Sequence, residues 1–578
     1  MPERISREEH ALRHGPTAGD RVRLGDTDLW IRIEEDLTEP GDQALWGYAK
    51  NWRSRMTQLD SATTASELDT VIGSVVVVDP LLGVVKCDLG IKDGRIAGIG
   101  RAGNPDITSG VDLTIGPNTC PIPCHGLIAT PAAIDSHVHL MSPRLVPVAL
   151  SSGVTTLITA GFEEPPSRML AVLQAFERLP VNIGLQPSAR TDVPGGLDPV
   201  IEAGAVGLKI HEDWGAYPEI IDATLRAADA HDIAVCLHTD SLNESTELDG
   251  TVQAIAGRTI HAYHVEGSGG GHIPDALGLV REPNVFCSST TPTLPYGPAT
   301  ALEQLDMKLI VHEGNPYLPE DVAAARELVH PPTMAAEGPL HELGAIQIVN
   351  SDSQGMGRIG ETFRRTFQLA HAMKAWRATE AGQGWPDAPP IARLRPAVPA
   401  PDGLPDDNER VLRYLAKITV EPARVHGLSD DLGSLAPGRM ADLVLWQVTH
   451  FGVKPFMVFK GGVVAWSAMG EGNASVHGAE PTRYGPDWGG SGDAPSSLSL
   501  TLVSQAALDA GIAATLGTRR RVVAVRGTRG LTRADLVANT AAPPVEVSPT
   551  DGSVTLQGRR LACEPLTEVP LSRRYLLA

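Results

Sequence analysis

Residues 206–215 read VGLKIHEDWG, which places a lysine and a histidine two apart at the end of an apolar run. If AVGLKI is a strand, Lys209 and His211 share one face of it. Other imidazoles occupy the same kind of position. DSHVHL supplies His137 and His139 at i, i+2, again on one face. DIAVCLH ends at His238, RTIHAYH at His264, and AIQIVNSD at Asp352. One histidine at a strand end is ordinarily a hydrogen-bonded core residue. Five histidines and an aspartate at the same ends of strands point instead to a hydrolytic site for cations of borderline softness.

Lys209 is the odd member, because an ammonium would repel cations. It has to give up its proton there, which nearby positive charge favours. The neutral amine can then take up carbon dioxide to form a carbamate, a two-oxygen anion able to bridge two metals. The competing reading pairs Lys209 with Glu212 or Asp213 as an ordinary ion pair.

The elements that position these residues follow from the apolar runs. Between about 131 and 430, strands ending at LIATPAAIDSH, GVTTLITAG, PVNIGL, AVGLKIH, DIAVCLH, RTIHAYH, NVFCSS and AIQIVNSD alternate with helix-like segments such as PEIIDATLRAADAH. Such alternation predicts an α/β fold, a (β/α)8 TIM-type barrel whose strand ends converge on one face. A doubly wound open sheet is the competing topology. Two β-rich blocks, 1–130 and 431–480, flank the barrel and predict one composite β-rich domain with the barrel inserted into it. Residues 481–578 read as a small C-terminal mixed α/β region. GIKDGRIAGIG, with Asp93-Gly94 at its centre, predicts a hairpin. The Pro-rich stretches 382–410 and 485–497 read as surface loops.

Composition narrows the function classes. The chain has 578 residues and a formal net charge of −21, which argues against nucleic-acid and anionic-membrane partners. The most apolar stretch, VIGSVVVVDPLLGVV, is interrupted by Asp79 and Pro80, and the charged N-terminus lacks a signal-peptide core. A cytoplasmic protein is the expectation. Six cysteines in so long a chain imply no disulfide framework. Cys120, Cys124 and His125 lie close enough in sequence for a small metal site, but no second ligand pair accompanies them.

The His-x-His strand, the Lys209 strand, the two later histidines and the aspartate resemble the amidohydrolase superfamily. Within it the sequence resembles the urease α (catalytic) subunit family. The matching stretches include GPTAGDRVRLGDTDLWIRIE, GLKIHEDWGA, GRTIHAYHVEGSGGGHIPD, SSTTPTLPY, SDSQGMGRIGE and FGVKPFMVFKGG, with SRRYLLA at the C-terminus. The resemblance implies hydrolysis of urea to ammonia and carbamate at two nickel ions per subunit. One nickel would be held by His238, His264 and the Lys209 carbamate, the other by His137, His139, Asp352 and the same carbamate, so carbon dioxide is needed to modify Lys209. It further implies that His211 donates to the urea oxygen, that His312 on a mobile flap protonates the departing nitrogen, and that Gly269 and Gly355 lie against the substrate. Implied partners are urease β and γ subunits in a trimer of heterotrimers, together with nickel-insertion accessory proteins.

The flap departs from the family pattern. IVHEGNP keeps His312 but places Val311 and Glu313 where cysteine and histidine are usual, and Leu328 stands where the family has an arginine. The segment TAGFEEPPSRML (159–170) is shorter than the family's. These changes motivate two alternatives: a binuclear metallohydrolase acting on another small amide or urea derivative, or an inactive urease-like paralogue.

Overall fold

The computed structural model describes residues 4–39, 55–161, 164–211, 215–238, 248–267, 274–401, 403–469 and 483–572. Its architecture is mixed α/β. Strands Thr70–Asp79, Gly83–Lys92, Leu127–Pro131, Leu443–Gln447, Met457–Lys460 and Val463–Met469 belong to one ten-stranded sheet. Leu127–Pro131 pairs antiparallel with Leu443–Gln447 and parallel with Thr70–Asp79. One strand therefore joins segments more than three hundred residues apart. The Asp93-Gly94 hairpin is present: Lys92 faces Arg95, and both turn residues have positive φ, at 49° and 73°, as a two-residue primed turn requires.

Eight further strands, all in parallel pairings, follow in chain order: β1 (Ala133–Val138), β2 (Val154–Thr159), β3 (Asn182–Gly184), β4 (Gly207–Ile210), β5 (Ala234–His238), β6 (Ile260–Tyr263), β7 (Val285–Thr290) and β8 (Ile348–Asn350). Every residue of these strands is buried, which explains why they read as unbroken apolar runs rather than alternating ones. They form two sheets, β1-β2-β3 and β4 to β8. Hydrogen bonds span both gaps. Lys209 N donates to Pro187 O at 2.9 Å and Val206 N to Leu185 O at 2.9 Å. At the other gap, His139 N donates to Ser353 O at 3.0 Å and Asp352 N to His137 O at 2.9 Å.

The apolar run LIATPAAIDSH is split between two sheets. Its first half ends at Pro131 in the ten-stranded sheet, and its second half begins β1 at Ala133. Helix Pro218–His231 illustrates how the strands are covered: Ile221, Thr224, Leu225 and Ala228 form its buried stripe, at the i, i+3, i+4, i+7 spacing of an amphipathic helix. Asp232 ends it in the left-handed conformation.

Strands Leu500–Val503 and Arg521–Ala524 extend the β1-β2-β3 sheet from the edge of β3. Buried Arg520 fixes this junction, donating to the carbonyls of Phe176, Leu179, Val181 and Leu500 at 2.6–3.0 Å across the sheet edge together with Thr501 Oγ1. The described residues of the Pro-rich stretch 382–410 form neither helix nor strand up to 407, where helix Asn408–Ala416 takes over the end of the expected loop. They are anchored: Arg393 pairs with Glu34 at 2.8 Å with both side chains buried, and Arg32 pairs with Asp406 at 2.7 Å. Among the described residues, no helix is long and apolar enough to cross a membrane.

Candidate metal centre

The i, i+2 spacing of His137 and His139 acts as the strand geometry requires. His137 is the penultimate residue of β1, His139 directly follows the strand, and both Nε2 atoms reach Asp352 Oδ1, at 3.2 and 3.0 Å. Asp352 is placed by a tight turn after β8. Its φ is +58°, an uncommon conformation for an aspartate and one that tends to mark functional sites. Its carbonyl accepts from Gly355 N at 3.2 Å and Gly357 N at 2.9 Å, holding the turn closed. Asp135, two residues before His137, accepts from His137 N and Ser351 N, each at 3.1 Å, and so ties β1 to the residue preceding Asp352. Burial raises the Asp135 carboxyl to about 6 against the opposing hydrogen bonds from Ser351.

Electrostatics prepares this group for a cation. Burial, reinforced by Lys209 and opposed by Asp352, pushes His137 down to about 3, so its ring is neutral and its lone pair available. Burial also works against ionisation of Asp352, but the neighbouring His137 and His139 outweigh it and hold the carboxyl well below its ordinary range. A neutral ring suits His137 to offering its lone pair to a cation rather than to a charged ion pair. Among the described residues, neither ring nitrogen of His137 nor Oδ1 of Asp352 takes part in a well-formed hydrogen bond, although all three atoms are buried. Buried polar atoms are rarely left so. A cation held by His137, His139 and Asp352, whose ligand atoms lie within 4.8 Å of one another, would satisfy them. The donor set fits a metal.

A second group faces the first. Lys209 is fully buried on β4, with Nζ 4.2 Å from the centroid of the Tyr263 ring. His238 closes β5 and stacks on His211 at 4.2 Å, the planes 12° apart. His264, just past β6 with φ +30°, meets His238 edge-on at 4.3 Å. Burial chiefly, with His211 and His264 next, drives His238 well below the ordinary imidazole range. His137 and His264 are 5.5 Å apart between centroids and link the two groups. Tyr263 stacks on His137 at 4.0 Å and donates to Ser136 O at 2.6 Å.

Gly355 lies hard against the first group. A Cβ there would come within 2.6 Å of Asp352 Oδ1 and 2.8 Å of His139 Nε2, far inside van der Waals contact, so no side chain fits without displacing ligand atoms. His312 caps helix Thr300–Val311 and is exposed. No ring contact or hydrogen bond joins its side chain to the histidine groups among the described residues. Glu313 beside it is exposed with φ +55°, and Leu328 is half-buried after helix Pro319–Glu327. Gly269, and the alternative Lys209 partners Glu212 and Asp213, lie outside the described residues.

Sequence reasoning passes over Tyr263 and Asp135. Strand alternation could find Asp135, which shares a face with His137; nothing in the sequence marks Tyr263, which works through ring stacking. Another buried set, Cys236, His261 and His426, lies within ligand distance of one another, with His261 Nδ1 3.2 Å from His426 Nε2. Cys120 is exposed and Cys124 buried, and no group of three metal-ligand atoms among the described residues includes either of them or His125.

Comparison with known proteins gives the family. Residues 128–465 match the amidohydrolase family, so the chain is an amidohydrolase-type, metal-dependent hydrolase. Residues 3–122 match the N-terminal domain of the urease alpha subunit. Urease subunit alpha from Haloquadratum walsbyi is 44% identical over 589 residues, and that from Haloarcula marismortui 43% over 586, each alignment covering 100% of both chains. The chain belongs to the urease alpha-subunit family. Among solved structures, a D-hydantoinase aligns over 69% of this chain and 95% of its own with 16% identity and a TM-score of 0.45.

Proposed function

We propose that this chain is the catalytic subunit of a urea amidohydrolase, hydrolysing urea to ammonia and carbamate. One observation carries the reading: a fully buried lysine stands among five histidines and an aspartate in a chain related to urease alpha subunits along its whole length. The eight parallel strands are taken to close as a (β/α)8 barrel, supported by the hydrogen bonds at both gaps between the two sheets. The barrel would occupy 131–430, inserted in a β-rich domain made of 1–130 and 431–480, with 481–578 as the C-terminal region.

His137, His139 and Asp352 would hold one nickel ion, and His238 and His264 the other. Lys209 would reach both once its neutral amine has added to carbon dioxide, forming the N–C bond and releasing a proton. The bound cations would acidify a water and polarise the urea carbonyl. His211, held flat against His238, presents a ring N–H to the urea oxygen, where negative charge develops. Gly355 keeps the wall beside Asp352 and His139 free of side-chain bulk. His312 gives its proton to the departing nitrogen when its helical hairpin folds over the site, which also excludes water. Gly269 is assigned to the substrate wall by resemblance alone. The chain works with urease β and γ subunits in a trimer of heterotrimers, loaded by nickel-insertion proteins in the cytoplasm.

The test is the co-expressed, matured complex assayed for bound metal and urea turnover. Two nickel ions per chain with urea hydrolysis are expected. Full nickel occupancy with turnover of a larger amide and none of urea would overturn the substrate assignment.

A further inference from the structure

Helices Thr300–Val311 and Pro319–Glu327 form a hairpin that carries His312 at its turn. Leu305, Leu309 and Ala325, with Val322 and Val329 against them, make a small apolar cluster separate from the main core. The two helices thus share a small core of their own, while Thr300, Gln304 and Lys308 of the first helix are buried as well. Besides the Gly297–Thr300 hydrogen bonds, an ion pair ties the hairpin's first turn to the body. Glu303 accepts from Arg358 Nη2, and Arg358 lies six residues past Asp352 in SDSQGMGRIGE.

Arg358 is itself held by the body. Its Nη1 is 3.8 Å from Glu361, a carboxylate that also binds Arg364 at 2.6 Å and Arg365 at 2.9 Å. Its backbone N–H donates to Thr291 Oγ1 at 3.1 Å, and that hydroxyl donates to Ser351 O, next to Asp352, at 3.3 Å. The guanidinium therefore forks between Glu361 on the ligand loop's side and Glu303 on the hairpin's side, as its planar geometry allows. From Glu303 to His312 the helix rises about 13 Å, a stiff lever between this contact and the imidazole.

We propose that the Arg358–Glu303 ion pair is a latch that sets how the His312 hairpin sits over the metal-ligand loop, making both side chains positioning residues for the hydrolytic step. The proposal rests on the assignment of His312 as proton donor. The pair is partly open to solvent, with side chains 43% and 32% exposed, beside a cavity of about 640 Å³ lined in part by Val148, Arg358 and Lys454. Its influence should therefore be moderate and salt-sensitive.

The experiment compares wild type, E303Q, R358Q and the double variant as nickel-loaded complexes, with kcat expressed per bound nickel. At low salt each single variant should lose about two- to fivefold in kcat, the size a partly exposed ion pair supports, with little change in the KM for urea. The double variant should lose no more than either single one, since both remove one interaction. The gap to wild type should narrow as salt rises, and amide exchange across 300–327 should speed up in all three variants. Unchanged kcat and exchange, or a double variant whose loss is the product of the singles, would overturn the latch. A wild type without urea turnover would defeat the functional assignment instead, while the exchange comparison still decides whether the pair holds the hairpin.

Discussion

His211 and His238 lie face to face, ring centroids 4.2 Å apart and planes 12° from parallel. They come from the ends of neighbouring strands β4 and β5, and the stacking orients the His211 ring, which we propose acts as a donor and not as a ligand. His211→Ala is expected to lower kcat/KM for urea by about 10²-fold or more, the usual cost of a lost donor to developing negative charge, while both nickel ions stay bound. Steady-state kinetics with metal analysis checks this; nickel lost along with activity would make His211 a ligand.

Gly355 separates space from conformation. Its backbone is ordinary, but any Cβ would collide with Asp352 and His139. Gly355→Ala should therefore displace a metal ligand, lower nickel content, and reduce turnover by about 10²-fold, as misplacements near 1 Å do. The fold should survive, with a circular dichroism spectrum like that of the parent.

Arg520 closes the edge of the β3 sheet through buried donations to four carbonyls. Arg520→Ala would take a donor from all four carbonyls, although Phe176 O and Leu179 O keep the backbone N–H groups of Leu179 and Val181. It is expected to cost about 1–3 kcal/mol, the penalty of a buried polar group left short of a partner. Thermal unfolding of the chain should show a clear fall in Tm, with nickel binding in the surviving folded fraction unaltered.

Buried imidazoles make the fold acid-sensitive. Burial pushes His426 down to about 3, against about 6.5 in an unfolded chain. Between those values the unfolded state takes up a proton that the folded state refuses. The stability is therefore complete above about pH 6.5 and drains away towards pH 3, at about 1.4 kcal/mol per pH unit for this one group. His261, 3.2 Å away, is driven in the same direction by burial and by His426. Guanidinium unfolding at pH 7 and pH 4.5 should show His426→Asn losing less stability on acidification than the parent.

The legibility of the fold and the site in the sequence differs from residue to residue. Local periodicity carries the imidazoles: the i, i+2 spacing in DSHVH is enough to put His137 and His139 on one side, and the apolar runs mark where β4, β5 and β6 end. The Asp93-Gly94 turn is equally plain, because only residues tolerant of positive φ suit it. Long-range relations are not legible. Nothing local says that Leu500–Val503 lies beside β3, or that the run through Pro131 is shared between two sheets. The turn that aims Asp352 depends on a left-handed aspartate and the N–H groups of Gly355 and Gly357, and no local pattern announces it. The Glu303–Arg358 contact is invisible for a related reason, since each side chain alone reads as a solvated charge.

The central claim is that Lys209, once carboxylated, joins two nickel ions. A high-resolution crystal structure of the matured complex tests it most directly. The predicted result is planar carboxylate density continuous with Lys209 Nζ, flanked by one metal on the His137, His139 and Asp352 side and another on the His238 and His264 side. An unmodified amine at Lys209 with no metal between those two sets of side chains would contradict it.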